Sequence, residues 1–364
     1  MNIQDKHIND RIKAEELKKF NILAYDDDNL YPQKIREIIN GSSTAKSCTD
    51  RLTAFLVGKG LTNKVLESYV INCENDTIYN VLVSCFKDYA KFNGFAVWRK
   101  INVNSKTVEM YHVPFDWVRK VYSKDKDNFT AKYCIYNNWD AKNGKIDKDD
   151  FQYAWAYNEN EDVIIDQILE DGSLDIYSGQ LLYYSTDGDN YPLAWIDAIQ
   201  EDCIVDNQMK VFNYKNVTTN FMASHIAMFG EEPEDPTKTD ISKSLKELQG
   251  AENASKIIAL YGVNKDTFDL RKIDIQNHDK LFEATNATTK QNIREMFGQD
   301  LPFFKGGLTA SDISGEAIKT TYAFYNALTE MHRKAVTDIF SKLLKTWYLP
   351  IVSDIEIDKL TFEI

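Results

Sequence analysis

Between Gln291 and Trp347 an amphipathic segment ending at Met296-Phe297-Gly298 runs into Leu301-Pro302-Phe303-Phe304-Lys305-Gly306-Gly307 and then into a second, longer amphipathic segment. This stretch constrains the fold more than any other, because it predicts two helices joined by a glycine-rich, aromatic-tipped loop. Gly306, Gly307 and Gly315 leave φ almost unrestricted, so such a loop can be displaced without breaking either flanking helix. In the second segment Ile318, Tyr322, Tyr325, Leu328, His332, Val336, Ile339, Phe340, Leu343 and Trp347 recur at helical spacing. A helix of about thirty residues with that stripe needs a neighbour along its length.

A chain of 364 residues is too long for one simple core, and two or more subdomains are expected. Apolar runs are short, and Met1-Asn2-Ile3-Gln4-Asp5-Lys6 does not open a charged-then-apolar leader, so neither a membrane span nor a secretory signal is expected. Cys48, Cys73, Cys85, Cys134 and Cys203 are scattered and never in Cys-x-x-Cys spacing. They read as reduced, structural thiols. A formal net charge of −13 argues against gripping nucleic acid over the whole surface by counterion release, but leaves room for a surface past which DNA slides.

Along the chain, 10–25 reads as helical in composition, and Asp26-Asp27-Asp28-Asn29-Leu30-Tyr31-Pro32 breaks it with a turn before a helix opened by Pro32. A third helix covers Thr44 to Val57 and stops at Gly58-Lys59-Gly60, and a fourth runs from Asn75 to Asn93-Gly94. The period then changes to two: Phe95 to Val103 and Val108 to Val113 predict an antiparallel pair about the turn Asn104-Ser105-Lys106, and Trp117 to Tyr122 begins the next strand. From Tyr133 to Tyr184 short β-prone runs alternate with turns such as Asn143-Gly144 and Asp171-Gly172, predicting a β-rich block. Pro192 to about Asn216 predicts a helix of roughly twenty-five residues. A compact unit follows: a strand over Ser224 to Phe229, a short helix capped by Asp240 and ended by Gly250, and strands over Lys256 to Val263 and Phe268 to Ile275. Asn277 is placed to cap the helix from His278 to Phe297, and the tail from Ile351 to Ile364 ends in a strand-like run. The fold class is α+β.

Catalytic chemistry is weakly represented. His7, His112, His225, His278 and His332 lack metal spacing, and His332 falls on an apolar stripe as a core histidine. Asp26-Asp27-Asp28 and Glu231-Glu232 resemble acid pairs but occupy turn contexts, where solvated carboxylates are the simpler reading. Val57-Gly58-Lys59-Gly60 is too short to cradle a phosphate. Neither a metal nor a cofactor is expected. The aromatic and basic neighbours Trp98-Arg99-Lys100 and Trp117-Val118-Arg119-Lys120 could stack on nucleic acid, but strand packing explains them better. Lys305, beside two glycines, is placed to meet a phosphate transiently or to stand as a solvated loop lysine.

Several phrases, in order, resemble the portal proteins of tailed bacteriophages, of the long-tailed phage type. They are Asp28-Asn29-Leu30-Tyr31-Pro32, Lys91-Phe92-Asn93-Gly94-Phe95-Ala96-Val97, Val108 to Arg119, and Met296-Phe297-Gly298-Gln299-Asp300-Leu301-Pro302. The resemblance implies an N-terminal wing over 1–190, a first stem helix over 191–216, an α/β clip over 217–277, a second stem helix over 278–299, a tunnel loop over 300–315, a long helix over 316–348 and a tail over 349–364 that leaves a minimal crown. It implies a non-enzymatic subunit of a homo-oligomeric ring, usually of about twelve copies, at a capsid vertex of a virion assembled in the host cytoplasm. Double-stranded DNA would pass through the ring's channel, with terminase, the major capsid or scaffold protein and a head-tail adaptor as partners and no membrane contact. Phe303, Phe304, Lys305, Gly306, Gly307, Leu308, Thr309 and Ser311 would face that DNA. Two rival readings are a hydrolase with a β-rich substrate domain using Asp26 and Asp28, and a capsid or tail structural protein of different geometry.

Overall fold

A computed structural model describes residues 16–122, 132–141, 146–188, 191–219, 225–229, 249–250, 253–254, 257–261, 269–272, 279–301, 304, 315–351 and 354–362. The chain divides into two compact units, one formed by residues up to Gln200 and from Ile293 onward, the other by Glu201–Asn292.

The first unit opens with a two-strand hairpin, β1 (Glu16–Leu17) and β2 (Ile22–Leu23), where the composition predicts a helix. Asn21 turns the chain at φ 55, and Phe20 and Ile22 are buried with Cys134, Tyr136, Trp139 and Phe151. Tertiary burial of two apolar side chains here overrides the helical preference of their charged neighbours. Helix α1 (Tyr31–Gly41) carries Pro32 in its first turn. Helix α2 (Ser43–Val57) is capped by Ser42, whose Oγ accepts from the Ala45 amide at 3.1 Å. After the short α3 (Lys64–Glu67) comes α4 (Ile78–Phe92), capped by Thr77 and ended by Asn93 in the left-handed region.

Gly94, the next residue, starts strand β3 (Gly94–Ile101), and an added Cβ would collide with the Phe115 ring. The strands β3, β4 (Thr107–Val113), β5 (Val118–Lys120), β6 (Lys132–Ile135), β7 (Gln152–Ala156) and β8 (Gln180–Ser185) form one six-stranded sheet in the order β4-β3-β8-β7-β6-β5. All neighbours are antiparallel except β7 and β8. Parallel neighbours need a crossover, and helix α5 (Glu161–Asp171) supplies it, inside the block that the alternation of β-prone runs and turns predicts as β-rich. Its signals are local: Asn160 accepts from the Asp162 amide as a cap, acids fill the first turn, and Gly172 ends it at φ 103.

Two arginines hold this unit together from inside. Arg119 is fully buried. It donates to Asn29 Oδ1 (2.6 Å), the Asn29 carbonyl (2.7 Å), Gln33 Oε1 (3.1 Å) and the carbonyls of Asp116 (3.0 Å) and Val118 (2.9 Å), with the Trp139 ring 5.0 Å away. Arg99 donates to Gln180 Oε1 (2.9 Å), to Thr107 and Thr346 Oγ1 (3.0 Å each) and to the Asn158 carbonyl (2.8 Å). Both guanidinium groups serve strand packing, not a nucleic-acid surface.

The helix predicted from Pro192 begins later, as α6 (Gln200–Thr219) after a short 3-10 turn at Asp197–Ile199. The backbone of 192–194 is engaged elsewhere. Tyr25 donates to the Pro192 carbonyl, Asn93 Nδ2 to the Leu193 carbonyl, and the Ala194 amide donates to Tyr31 Oη. In the second unit β9 (His225–Phe229) is the middle of a three-stranded sheet, parallel to β12 (Ile257–Tyr261) and antiparallel to β13 (Asp269–Lys272). Residues 249–254 hold a hairpin of β10 (Gln249–Gly250) and β11 (Asn253–Ala254), so Gly250 sits in a strand and not at a helix end. The Asp240 cap and the Asn277 cap lie outside the described residues.

Helix α7 (Asp279–Met296) returns the chain to the first unit, and α8 (Gly315–Lys345) has 31 residues, about 46 Å of rise. It buries Ile318, Tyr325, Val336, Phe340, Leu343 and Leu344 and packs on α2 and α4. The tail forms no strand among its described residues. It makes a single antiparallel bridge, Leu61 to Ile357, and its Asp358 exchanges backbone hydrogen bonds with Lys59 and Gly60 at 2.7 and 2.9 Å. Gly58, at φ 62, has no room for a Cβ against the Asp358 backbone, so the Gly-Lys-Gly phrase is a docking groove for the tail.

Replacing Arg119 by Met should remove five donated hydrogen bonds and strand the Asn29 carbonyl and Gln33 Oε1 without the donor Arg119 supplies, lowering stability by about 3 kcal/mol. Lys100→Gln, at an exposed position of β3, should stay within about 0.5 kcal/mol. Urea unfolding of the two variants beside the parent chain measures both.

Candidate functional site

The segment between α7 and α8 is fixed at its base by one buried amide. Gly298 ends α7 at φ 63, and the amides of Gly298 and Gln299 donate to the carbonyls of Glu295 (2.9 Å) and Arg294 (2.8 Å), which closes the last turn as a glycine C-cap does. A Cβ on Gly298 would strike the Leu328 side chain of α8. The turn aims Gln299 inward, where it is fully buried. Its Nε2 donates to the Cys48 carbonyl at 2.8 Å and to Tyr325 Oη at 2.7 Å, while its Oε1 accepts from Arg51 Nη1 at 2.7 Å. Tyr325 in turn donates to the Phe297 carbonyl at 3.2 Å, and burial pushes its phenol well above its ordinary pKa. This network ties α2, α8 and the end of α7 through polar groups that are all satisfied, the condition under which a buried network rigidifies.

Phe304 lies directly above this knot. Its ring is 7% exposed, edge-on to Tyr325 at 5.3 Å and to Phe55 at 6.0 Å, with the Arg51 guanidinium 4.7 Å over it. Of the residues that the resemblance assigns to a DNA-facing loop, Phe304 is the one described, and it is an interior anchor and not an exposed tip. Phe303, Lys305, Gly306, Gly307, Leu308, Thr309 and Ser311 lie outside the described residues. Sequence reading gave the loop its glycines but missed Arg51 and Gln299. The signal for Gln299 was the phrase Phe297-Gly298-Gln299, a C-cap glycine followed by an amide; for Arg51, separated by 248 positions, there was none.

Further along α8, Arg333 donates from Nε and Nη2 to the carbonyls of Leu56 (3.3 Å) and Phe55 (2.7 Å), and from Nη2 to Asn326 Oδ1 (3.1 Å). Those carbonyls belong to the last turn of α2, which lacks intrahelical donors and carries the negative end of the helix dipole. Asn326 passes the link to the tail by donating to the Leu360 carbonyl at 2.7 Å. Between α8 and the tail opens a cleft of about 700 Å³ bordered by Lys334, Lys342, Lys345, Asp354, Glu356 and Lys359, with both signs of charge interspersed.

The other expected residues have structural tasks. Asp28 Oδ1 accepts from the Leu30 amide and Oδ2 pairs with Lys34 at 2.7 Å. Burial works to raise its pKa, but Lys34 and the amide prevail and hold the carboxyl below its usual value, the opposite of what a general acid needs. His332 is half-buried, its Nδ1 2.9 Å from Tyr89 Oη and its ring edge-on to Trp195 at 4.9 Å, a packed histidine as its stripe predicts. His112 Nε2 lies 2.8 Å from Asp88 Oδ2. Cys48, Cys85, Cys134 and Cys203 are buried; Cys73 is exposed, 3.0 Å from Tyr111 Oη. Among the described residues no group of three or more His, Cys, Asp or Glu side chains is arranged to hold a metal ion, and no helix is long and apolar enough to cross a membrane.

No family model matches the chain, and no curated protein matches it. Solved structures do. A chain of the virion of a native gene transfer agent particle is similar with a TM-score of 0.50 and 14% identity, covering 90% of this chain and 82% of that one. A chain in the neck of the native particle, computed with C12 symmetry, scores 0.49 at 13% identity over 90% and 84% of the two chains. One in the neck of the empty particle, computed with C6 symmetry, scores 0.49 at 14% identity over 89% and 82%. The likeness to the virion chain is one of fold.

Phe304→Ala should cost about 3 kcal/mol, the range for emptying a well-packed aromatic site, and Gln299→Leu about 2 kcal/mol by orphaning its polar partners; chemical denaturation reads both. Burial lowers the pKa of His332, so between its folded value and the ordinary value near 6.5 the unfolded chain binds more protons and stability falls with falling pH. The urea midpoint should therefore drop between pH 7.5 and pH 5.5, and His332→Gln should shrink that drop.

Proposed function

We propose that this chain is a portal-type subunit: a non-enzymatic building block of a ring through which double-stranded DNA enters and leaves a phage-like particle. The observation that carries this reading is the topology. A wing of helices and one mixed sheet sends out α6, the chain makes a separate small α/β unit with a three-stranded sheet, α7 brings it back, and a glycine-rich segment joins α7 to the 31-residue α8. That is the order of stem, clip, stem, tunnel loop and long helix implied by the resemblance in sequence. The fold shared with a gene transfer agent virion chain supports it from an independent direction.

In this reading α6 and α7 line the channel and the small unit between them meets the packaging terminase and later a head-tail adaptor, while the wing contacts the capsid or scaffold protein. The loop from Lys305 to Ser311 follows the DNA, with Phe303 beside it and Phe304 pinning its root to the wing. A ring of subunits each bearing −13 presents DNA with a surface that repels it, which favours passage over capture. The acidic pair Asp26 and Asp28 gives a hydrolase no support, because Asp28 is held ionised by Lys34. A head or tail structural protein of other geometry shares the support of the fold, and assembly state separates it from a portal.

Electron microscopy of the purified chain should show closed rings of about twelve copies with a lumen wide enough for a DNA duplex. Tubes, flat hexamers or a strictly monomeric particle at high concentration would reject the portal reading. Deleting Lys305 to Ser311 should spare ring assembly and impair DNA packaging or retention; packaging at the parent level would reduce the loop to a connector.

A further inference from the structure

The cleft between α8 and the tail contains a charged group that its surroundings satisfy only in part. The two elements run antiparallel and are pinned in step: Asn326 Nδ2 donates to the Leu360 carbonyl at 2.7 Å, Glu330 pairs with Lys359 at 3.0 Å, and the Ile355 amide donates to Ser341 Oγ at 3.1 Å. Along this stretch opens the hollow of about 700 Å³, a volume within the range of ligand sites. On its α8 wall stands Arg333, only 6% exposed. Its Nε and Nη2 are engaged by the last carbonyls of α2 and by Asn326, but Nη1 is buried with no hydrogen-bond partner among the described residues. A buried donor on a charged group, left without an acceptor, is costly and rare in folded chains.

The opposite wall offers unpaired backbone. The Thr62 amide donates to the Glu356 carbonyl and the Asp358 amide to the Gly60 carbonyl, both at 2.9 Å, so Leu61 and Ile357 face each other as a pair that exchanges no hydrogen bonds. The N–H and C=O of Ile357 therefore point to the tail's other edge, the one from which Ile355 reaches Ser341. Neither has a partner among the described residues. By the register of the pins, Arg333 lies opposite Ile357 and Asp358.

Two donors, Arg333 Nη1 and the Ile357 N–H, and one acceptor, the Ile357 carbonyl, thus border the same hollow. A carboxylate can accept from both donors while an amide beside it donates to the carbonyl, and that combination is the free end of an extended peptide. The walls carry five cationic and four acidic side chains, an excess of one positive charge, which suits a monoanion better than a phosphate dianion. We propose that this cleft binds the C-terminal carboxylate of an extended peptide, with one oxygen on Arg333 Nη1, the other on the Ile357 amide, and the N–H of the peptide's last residue on the Ile357 carbonyl. The site lies wholly within the first unit and stands whether or not the chain forms a ring.

Isothermal titration calorimetry of the full chain tests it with four probes: triglycine, triglycine amide, acetate and inorganic phosphate. Triglycine should bind, its amide should bind at least about tenfold more weakly for want of the charged acceptor, and acetate should fall below triglycine because it has no N–H for the Ile357 carbonyl. Arg333→Met should abolish binding. Because that variant also loses its bonds to α2, Lys334→Glu, an exposed position bordering the cleft, serves if it unfolds, and should weaken triglycine at least about tenfold. Lys319→Glu, exposed on the same helix but outside the cleft, should bind as the parent does. Equal binding of triglycine and its amide, tighter binding of phosphate, or an equal loss in Lys334→Glu and Lys319→Glu would each overturn the proposal. Acetate binding as tightly as triglycine would overturn the peptide in favour of a small organic acid, and no heat from any probe would leave the cleft to water alone.

Discussion

A guanidinium group taken out of water needs acceptors for its donors, and three arginines impose that demand on the first unit; Arg333 meets it in part, its Nη1 being buried without a partner among the described residues. Arg119 gathers Asn29, Gln33 and the backbone of Asp116 and Val118. Arg99 joins strands β3, β4 and β8 to Thr346 beyond the end of α8. Arg333 closes the last turn of α2 from a position in the middle of α8. None of these bonds is to a carboxylate, so each geometry is set by neutral carbonyls, amides and hydroxyls whose own positions are thereby fixed. Removing any one of the arginines would leave several buried acceptors without donors, which is why such groups act as rivets more than as adjustable surface charges.

The consequence reaches the junction of α7 and α8. With α8 held to α2 by Arg333 and by the Phe55, Tyr322 and Tyr325 rings, Gln299 has a fixed socket, and Phe304 has a fixed surface to close over it. A loop rooted this way begins from a rigid point at its N-terminal side and continues into the first turn of a long helix at the other. The same helix presents different faces to its surroundings: one stripe packs on α2 and α4, Tyr325 enters the Gln299 knot, and Phe324, Leu328 and Met331 stand exposed.

Much of the element order was legible in the residues. Helical stripes marked α1, α2, α4, α7 and α8, the two-residue period marked β3 and β4, and Asn93, Gly58 and Gly298 marked stops, because caps and periodicity are local properties. What escaped was set by distant partners. The hairpin at Glu16 to Leu23 exists because Cys134, Tyr136 and Phe151 bury Phe20 and Ile22. Helix α5 interrupts a β-prone stretch because β7 and β8 lie side by side in parallel. The helical period from Pro192 is cut short because Tyr25, Tyr31 and Asn93 claim the backbone of 192–194. At the candidate site the glycines and Phe304 were visible, but burial of Phe304 and the service of Arg51 and Gln299 were not, since nothing within a few residues of either predicts a partner some 250 positions away.

The sequence by itself determined the alternation of rods and sheets, the acidic charge, the glycine-rich composition of the joint and the absence of recognisable catalytic spacing, all of which follow from neighbours along the chain. Tertiary structure decided which polar groups are interior fasteners, which end of the joint is clamped, and which apolar stripes remain uncovered. Those outcomes depend on who meets whom across hundreds of residues, where desolvation makes each buried donor find a particular acceptor, and no local pattern encodes that choice.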